Sequence, residues 1–351
     1  MVACSLWHVG PVDNGEEMKS SVQPVLVSLV TYNDQHFLPR CLESLMEQTV
    51  PLRIKVFDNA SEDRTVDIAR KFQVELQVSR RNLGYSHGHN HNFRNESFDV
   101  VLLLNADVIL RQNYLQFLIK VLDQVPGAGM AGGKLYRMDA DGRKVFRGGY
   151  PVLDSTGIFF TPSQRHLDRG SEEKDQGQYN QRQIVFGITG ASLLCKRGML
   201  EDLRFGSNCL DEDFFVYRED ADLAWRAQLR GWKAVYEPKA EALHYRHVLP
   251  FRRCDVPQLV NYHSVKNRYL MRIKNMDWSV RLRCFPYMWV RDIGILMYVL
   301  FFEWGSLPAY REVWRLRKRF QCKRKHIQNS RRISPDVVAR WFAFTPKALD
   351  L

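Results

Sequence analysis

The chain has 351 residues, of which 45% are hydrophobic and 12% aromatic, with 51 Lys and Arg against 39 Asp and Glu. This composition is typical of a globular protein with ample core, and it excludes collagen-like, low-complexity and disulfide-scaffold proteins. The charge is uneven, because residues 251–351 hold 21 Lys and Arg against 7 Asp and Glu. Such asymmetry indicates that the carboxyl-terminal part meets an anionic partner, either nucleic acid or phospholipid.

The first residues carry no sign of export. Residues 1–23 lack the basic start and the apolar block of a signal peptide, so we expect an N-terminal tail there. The seven cysteines are scattered without a C-x-x-C pair, which favours reduced thiols over a zinc ribbon or a redox motif. Together these features predict a cytoplasmic protein.

From residue 24 the sequence alternates apolar runs with amphipathic stretches. Strands are predicted at 25–32, 53–59, 74–78 and 100–107, and helices at 36–48, 61–72 and near 86–96. Shorter Gly-rich strands are expected up to about residue 190, followed by a helix at 217–230 and a strand at 233–236. This alternation predicts an α/β domain over 24–250, with a parallel sheet covered by helices on both faces.

Polar residues follow each predicted strand at the edge where such sheets bind ligands. They are Thr31 and Asn33 after the first strand, Asp58 after the second, Asn82 and Gly84 after the third, and Asn105 and Asp107 at the end of the fourth. This repeated placement favours a binding site at the carboxyl ends of the strands.

Asp107 is a carboxylate at the tip of a strand made of Val and Leu. It is suited to bind Mg²⁺, which prefers one or two carboxylates together with substrate phosphate oxygens; the alternative is an Asp that caps the next helix. His244 follows a predicted strand and is either a metal ligand or an ordinary surface or core histidine.

A second acidic segment holds six acids in the twelve residues 211–222. These acids are either solvated at a helix start, where they suit the helix dipole, or held together by a cation and a substrate. Because Phe214, Phe215 and Tyr217 are interleaved with them, we expect the segment to be packed. One of its carboxylates is a candidate to accept a proton from a hydroxyl nucleophile.

Three other patterns are excluded as functional motifs. Residues 127–132 match G-x-G-x-x-G but do not follow a strand, so they lack the context of a dinucleotide site. His87, His89 and His91 do not form a complete metal-ligand set and are expected to be solvated. No G-x-x-x-x-G-K-S/T loop is present, which excludes P-loop hydrolases.

The strand-end motifs resemble those of inverting family 2 glycosyltransferases with the GT-A fold, especially the rhamnosyltransferase-like branch. Seven pieces occur in the order of that family between about residues 24 and 250: VSLVTYN, DNASED, RNLGYSHGHN, LLLNAD, GITGASLLCKR, DEDFFVYREDADLAWR and GWKAVYEPKAEALH. The resemblance implies a Rossmann-like nucleotide-diphospho-sugar transferase fold, with residues 251–351 as a mainly helical C-terminal extension.

The resemblance also implies roles for individual residues. Those expected to contact the nucleotide are Thr31, Asn33, Asp58, Asn82, Gly84, Asn90 and Asn105, and those expected to face the donor sugar or acceptor are Gly190, Ala191, Asp211 and Glu212. Asp107 and His244 resemble the ligands of a Mg²⁺ or Mn²⁺ ion, although Asn105 replaces the first acid of the family's D-x-D motif. Asp220 resembles the catalytic base, with Glu219 as the close alternative.

The function implied is metal-dependent transfer of a sugar, with rhamnose from dTDP-rhamnose as one donor and other dTDP- or UDP-sugars as alternatives, to a polysaccharide or lipid-linked acceptor. Ten Lys and Arg at 311–332 favour contact with an anionic membrane surface, and no nucleic-acid-reading motif accompanies them. The apolar run at 293–302 is too short to span a bilayer. It is therefore expected in the core, at a homo-oligomer interface or on the inner face of the cell membrane.

Two other functions stay open at this point. One is a degenerate transferase domain that binds nucleic acid or membrane without catalysis. The other is a sugar-phosphate nucleotidyltransferase, which also uses an α/β sheet but has a Gly-rich, basic phosphate loop near its first strand. That loop is absent here.

Overall fold

A mixed β-sheet crosses the molecule and sets the position of the site. The structure is a computed structural model that describes residues 23–247 and 256–351. Residues 1–22 of the tail predicted at 1–23, and the predicted domain boundary at 250, therefore lie outside the described residues.

The strands, in chain order, are β1 (Val25–Thr31), β2 (Leu52–Asp58), β3 (Glu75–Val78), β4 (Val100–Asn105), β5 (Val108–Leu110), β6 (Ala128–Arg137), β7 (Phe146–Arg147), β8 (Tyr150–Pro151), β9 (Leu153–Ser155), β10 (Ile158–Phe160), β11 (His166–Asp168), β12 (Gln183–Val185), β13 (Ser192–Lys196), β14 (Lys233–His244) and β15 (Leu349–Asp350). The helices are α1 (Leu38–Met46), α2 (Thr65–Ala69), α3 (Tyr85–Phe93), α4 (Tyr114–Gln124), α5 (Arg197–Asp202), α6 (Glu219–Arg230), α7 (Gln258–Asn275), α8 (Trp278–Phe302), α9 (Pro308–Asn329) and α10 (Pro335–Ala339).

The amino-terminal half of the main sheet is parallel, as the sequence predicts. Strand β1 pairs in parallel with β2 and β4, and β2 pairs in parallel with β3. Beyond β4 the sheet differs from the prediction, because β13 lies antiparallel between β4 and β6. The chain reaches β13 through a long insertion of short strands, and it enters the sheet in the opposite direction.

The register brings the strand ends into line. Thr31 of β1 pairs with Asp58 of β2, and Val30 pairs with Asn105 of β4. Asp58 in turn pairs with Val78 at the end of β3. The polar residues that follow these strands therefore share one edge of the sheet, where the carboxyl ends of parallel strands meet.

Two apolar layers cover the sheet, and alternate residues of β1 point into each. Val25, Val27 and Leu29 belong to the layer that contains α1 and α4. Leu26 belongs to the opposite layer, which includes residues of α6 and also Leu270 of α7. The helices after residue 256 thus share a core with the main sheet, and β15 extends that sheet by pairing with β12.

Helix α8 differs most from its prediction. It is 25 residues long and, by length and composition alone, could cross a membrane. The predicted run at 293–302 is only its carboxyl-terminal part, so the argument that the run is too short does not apply to the helix. Core packing is also not observed for most of the run, since Val299 is buried whereas Phe301 and Phe302 are 66% and 77% exposed.

Candidate functional site

The ends of β1 and β2 form a hydrogen-bonded polar corner. The Thr31 hydroxyl donates to Asp58 Oδ2 at 3.0 Å, and the backbone N–H of Ser61 donates to Asp58 Oδ1 at 2.9 Å. The Asn33 N–H donates to the Ser61 hydroxyl at 2.9 Å, and Asn33 Oδ1 accepts from the N–H of Glu62 at 2.8 Å. Asn33 is exposed and Asp58 is fully buried, so Asn33 is the more accessible of the two to a ligand.

The turn before α3 joins this corner to the second acidic segment. Asn82 Oδ1 accepts the Gly84 N–H at 2.9 Å, and the N–H of Tyr85 donates to the Phe215 carbonyl at 2.7 Å. Gly84 has φ +89°, and a Cβ there would lie 2.6 Å from the Phe215 oxygen. Only glycine meets both requirements, so the close approach of the two segments depends on Gly84.

Asn90 is placed as a structural residue. It is buried, its Nδ2 donates to the Leu210 carbonyl at 2.9 Å, and its Oδ1 accepts the N–H groups of Cys209 and Leu210. Its Nδ2 also lies 3.1 Å from Glu212 Oε1. Both ends of the amide are thus used within the chain, and the expected contact of Asn90 with a nucleotide finds no support in this geometry.

Asp211 is likewise engaged within the chain. It is 4% exposed and forms ion pairs of 2.5 Å with both Lys274 and Lys323. Lys274 also contacts Asp222 at 2.9 Å. These cations outweigh burial and lower the pKa of Asp211. The cluster ties the acidic segment to α7 and α9, and it leaves Asp211 little freedom to contact a donor sugar or acceptor.

Asp107 and His244 lie side by side, as the sequence predicts for a metal site. Asp107 Oδ1 is buried without a hydrogen-bond partner among the described residues and lies 3.5 Å from His244 Nε2. His244 Nδ1 lies 2.6 Å from Asp154 Oδ2. Burial alone would lower the pKa of His244, but Asp154 and Asp107 outweigh it and raise that pKa to about 9.

These residues fit a divalent cation as a partial site. Asp154 holds the Nδ1 side of His244, which turns Nε2 toward Asp107, and such second-layer carboxylates are usual for metal-binding histidines. The described residues contain no group of three or more His, Cys, Asp or Glu side chains arranged to hold a metal. A cation bound here would need further oxygen ligands from substrate or water, as Mg²⁺ commonly has.

Glu219 and Asp220 form a like-charged pair at the start of α6. Glu219 is buried, and its Oε2 has no hydrogen-bond partner among residues 23–247 and 256–351. Asp220 is partly exposed and its Oδ2 accepts the Gly190 N–H at 2.8 Å. Burial and Asp220 raise the pKa of Glu219 to about 8, and burial also raises the pKa of Asp220. One proton therefore stays on the pair near neutral pH.

Tyr85 connects the two carboxylate groups. Its hydroxyl donates to the Gly190 carbonyl at 2.8 Å, next to the N–H that binds Asp220. Burial raises the pKa of Tyr85 well above its usual value, and Glu219, Asp220 and Asp107 add to that rise. Carboxylates from both sequence motifs therefore lie near one phenol.

A second chain of contacts links the same two groups through Arg246. This side chain binds Asp154, the partner of His244, at 2.8 Å and Asp168 at 2.7 Å. Asp168 in turn lies close enough to Asp220 to add to the effect of burial on the Asp220 pKa.

On the sheet side, the Asn105 N–H donates to the Ala191 carbonyl at 3.0 Å. The expected residues Asn105, Gly190 and Ala191 thus lie between the two acidic groups.

Several side chains in this region are not indicated by the sequence motifs. Asp154 and Asp168 come from the irregular segment of short strands, where no pattern marks a site. Tyr85 lies inside a quoted motif, but its hydroxyl contact with residue 190 spans 105 positions. His89 was expected to be solvated, whereas it is fully buried, contacts the Ser28 hydroxyl at 2.7 Å, and has its pKa lowered to about 3 by burial.

Comparisons with known proteins identify the family and the fold. The family model described as "Glycosyltransferase like family 2" matches residues 23–259. The chain is 28% identical over 248 residues to N-acetylglucosaminyl-diphospho-decaprenol L-rhamnosyltransferase of Mycobacterium tuberculosis. The alignment covers 65% of this chain and 77% of that protein. It is 23% identical over 235 residues to rhamnosyltransferase WbbL of Escherichia coli, covering 64% and 84%.

Solved structures share the fold at low identity. TarS residues 1–349 of Staphylococcus aureus, in complex with UDP, align with a TM-score of 0.53 and 14% identity over 88% of this chain and 91% of that one. GalNAc-T7 with UDP, GalNAc and Mn²⁺ aligns with a TM-score of 0.58 and 14% identity over 92% of this chain and 59% of that one. The GT-A fold with a helical carboxyl-terminal region is confirmed. The chain belongs to glycosyltransferase-like family 2, and it is a glycosyltransferase.

Proposed function

We propose that the protein is a metal-dependent, inverting glycosyltransferase that moves a sugar from a nucleotide donor to a saccharide acceptor. One observation carries the proposal: Asp107 Oδ1, 3.5 Å from His244 Nε2, and Glu219 Oε2 are buried without a hydrogen bond to any described residue, and both carboxylates raise the pKa of Tyr85. Leaving such oxygens without a partner is costly, which favours a ligand between them.

In this proposal, the strand ends bind the donor nucleotide. Thr31, Asn33 and Asp58 hold the base and ribose, while Asn82 and Gly84 form the adjoining wall. Asn105 lies near the ribose, because it ends β4 beside the Asp107 carboxylate. Gly190 and Ala191 line the donor-sugar side, and Glu212 is the remaining candidate there for the acceptor.

Asp107 and His244 would hold Mg²⁺ or Mn²⁺. When bound, the cation supplies positive charge for the departing diphosphate. Asp34 adds a further carboxyl that Asp107 affects, since burial and, to a smaller extent, Asp107 raise its pKa to about 7. This concentration of acidic groups suits a divalent cation, and a GT-A neighbour, GalNAc-T7, was solved with Mn²⁺.

Asp220 is the better candidate for the base. It is partly exposed, so an acceptor hydroxyl can reach it, whereas Glu219 is buried. The N–H of Gly190 fixes Asp220 Oδ2, and in this proposal the proton of the pair sits on the buried Glu219, whose pKa is raised to about 8. Asp220 would remove the hydroxyl proton as the acceptor attacks the anomeric carbon from the side opposite the diphosphate, which inverts that centre.

Rhamnose from dTDP-rhamnose is the first donor to test, because two of the relatives are rhamnosyltransferases. The acceptor in this proposal is a polysaccharide or a lipid-linked saccharide. The Mycobacterium tuberculosis relative is named for a diphospho-decaprenol acceptor, which supports the lipid-linked class.

The exposed face of α8 supports peripheral membrane contact at the inner face of the cell membrane. Seven residues spaced three or four apart form an apolar stripe along it: Trp278, Leu282, Phe285, Trp289, Ile293, Leu296 and Leu300, each 39–72% exposed. Trp favours the membrane–water interface, and exposed Arg and Lys on α9 suit anionic lipid. A cytoplasmic enzyme with this stripe would meet lipid-linked acceptors where they reside.

Vesicle sedimentation tests the membrane contact. Leu282→Glu and Trp289→Glu should reduce binding to phosphatidylglycerol vesicles, whereas Leu259→Glu should not, because Leu259 is 57% exposed on α7 and lies outside the stripe. Equal binding by all variants would contradict the proposal. A wild-type dimer that dissociates in Trp289→Glu without any vesicle binding would instead assign the stripe to a subunit interface.

A panel of dTDP- and UDP-sugars tests the transferase function. Slow donor hydrolysis should occur with Mn²⁺ and stop with EDTA, and the released sugar should have the inverted anomeric configuration by NMR. Turnover of nucleoside triphosphates would favour a nucleotidyltransferase. Salt-sensitive nucleic-acid binding without sugar-nucleotide binding would favour a degenerate transferase domain.

A further inference from the structure

A group of arginines lies between the start of α6 and helices α7 and α8. Arg218, which directly precedes Glu219, is 6% exposed. Its Nε donates to the carbonyl of Ser264 on α7 at 3.3 Å, and its Nη1 lies 2.7 Å from His166 Nδ1. Arg218 also has φ +74°, an unfavourable conformation for a residue with a side chain. The fold thus holds this guanidinium against α7 beside the proposed base.

The next turns of α7 add more positive charge. Arg268 and Arg272 follow Ser264 at helical spacing, and both reach Asp292 of α8, at 3.5 Å and 2.7 Å. Arg291 precedes Asp292 on α8. We name Arg218, Arg268, Arg272 and Arg291 the arginine cluster.

Negative charge beside Arg218, Arg272 and Arg291 is scarce. Among the residues that the structure describes, Asp292 is the carboxylate that contacts Arg272, at 2.7 Å, and the side-chain partner of Arg218 is His166. Arg272 Nη1 and Arg291 Nη1 are buried without a hydrogen-bond partner there, and the Arg272 side chain is only 9% exposed. Buried cations of like sign destabilise a fold unless an anion joins them.

The protonation equilibria agree with this imbalance. Burial lowers the pKa of Arg218 well below its usual value, and Arg268, Arg291 and Arg272 lower it further. Burial and the neighbouring arginines lower the pKa of Arg291 to about 9. His166 does not relieve the repulsion, because burial and Arg218 lower its pKa well below the usual value and keep it neutral.

We propose that the arginine cluster binds the diphosphate group of a lipid-linked saccharide acceptor, an inference that rests on the proposed function. Guanidinium groups match phosphate oxygens in planar, paired hydrogen bonds, and a diphosphate carries enough charge to offset several of them. The donor diphosphate is assigned to the Asp107 side, and no described contact joins the cluster to Asp107 or His244.

The position of the cluster fits this ligand. Arg218 of the cluster directly precedes the Glu219–Asp220 pair, where the acceptor hydroxyl must arrive. Arg291 of the cluster lies on α8, the helix whose apolar stripe faces outward. A lipid tail lying along the stripe would leave its diphosphate at the cluster and its saccharide toward Asp220.

Binding of farnesyl diphosphate, with farnesol as the neutral counterpart, tests the proposal without a donor. In EDTA, the wild type should bind farnesyl diphosphate, and Arg272→Gln and Arg291→Gln should each weaken that binding about 10- to 100-fold. Arg291→Lys, which keeps the charge but not the planar fork, should lose less. Arg281→Gln, on an exposed position of the same helix, should bind like the wild type. Farnesol binding should not change in any variant.

Thermal stability separates a ligand site from a structural role. Without ligand, Arg291→Gln should melt at or above the wild-type temperature, because it relieves repulsion between cations. A melting temperature lowered along with the binding would indicate a structural role and overturn the proposal. Equal farnesyl diphosphate binding in all variants would also overturn the proposal. Variants that lose only their binding to phosphatidylglycerol vesicles would overturn it too, because they would assign the cluster to lipid headgroups.

The donor site provides an independent control. Asp107→Ala should leave farnesyl diphosphate binding in EDTA unchanged, and loss of binding there would mean that the probe occupies the donor site. If the wild type hydrolyses no sugar nucleotide but the cluster variants still lose the probe, the transferase proposal fails and the diphosphate site stands.

Discussion

Replacing Glu219 with Gln should change how the stability of the protein depends on pH. Burial and Asp220 raise the pKa of Glu219 from 4.5 to about 8, so between these values the folded chain binds a proton that the unfolded chain has lost. Stability therefore falls as pH rises through this window. At about 1.4 kcal/mol per pKa unit, ionising Glu219 in the folded chain costs about 5 kcal/mol above pH 8.

Glutamine has a similar shape and does not ionise, so Glu219→Gln avoids this cost. The melting temperature of Glu219→Gln minus that of the wild type should therefore increase by about 6 °C from pH 5 to pH 9, given the unfolding entropy expected for a chain of this length. Differential scanning calorimetry across that range measures the difference.

An exposed glutamate provides the matched control. Glu43→Gln lies on the surface of α1 and should show the same pH profile as the wild type. Asp220→Asn removes the neighbouring charge and should flatten the profile in part. Parallel profiles for Glu219→Gln and the wild type would refute the reasoning that Glu219 retains a proton in the folded protein.

Three further substitutions test the structure of the site. Gly84→Ala should destabilise the fold by more than about 2 kcal/mol in urea titration, because its φ is positive and its Cβ would meet the Phe215 carbonyl at 2.6 Å. Lys274→Met should cost about 3 kcal/mol in the same assay, since it leaves two buried carboxylates without their shared cation. Asp154→Asn should weaken Mn²⁺ binding 10- to 100-fold in the presence of a nucleoside diphosphate, measured by EPR, because His244 loses its orienting carboxylate.

Matched controls separate each effect from a general one. Gly149→Ala shares a positive φ but meets nothing within 4 Å, so it should cost only about 1 kcal/mol. Lys71→Met, on the surface, should be neutral within about 0.5 kcal/mol. Asp141→Asn, 67% exposed, should leave Mn²⁺ affinity unchanged. If a control loses as much as its partner, the assigned contact is not the cause.

The sequence predicts which strand ends meet at one edge of the sheet, because that geometry follows from topology. Parallel strands bring their carboxyl ends to one edge, so Thr31, Asp58 and Asn105 fall together wherever four such strands occur in order. Buried apolar runs with polar ends are local signals, and they identify these strands without knowledge of the rest of the fold.

The remaining contacts depend on long-range packing that leaves no local pattern. Asp211 looks like a site acid by position, but its partners Lys274 and Lys323 are 63 and 112 residues away. Asp154 reaches His244 across 90 residues from a segment without clear periodicity. Helix α8 was underestimated because its arginines interrupt the apolar run, whereas the helix continues through them.

The central claim is that one pocket holds a cation–diphosphate group on the Asp107 side and a proton acceptor on the Asp220 side. Calorimetry of sugar-nucleotide binding with Mn²⁺, paired with turnover, in Asp107→Ala and Asp220→Asn tests it most directly. We predict that Asp107→Ala loses metal-dependent binding, and that Asp220→Asn retains binding but loses at least about 10²-fold in turnover. Donor binding that is indifferent to both Mn²⁺ and Asp107→Ala would contradict the account.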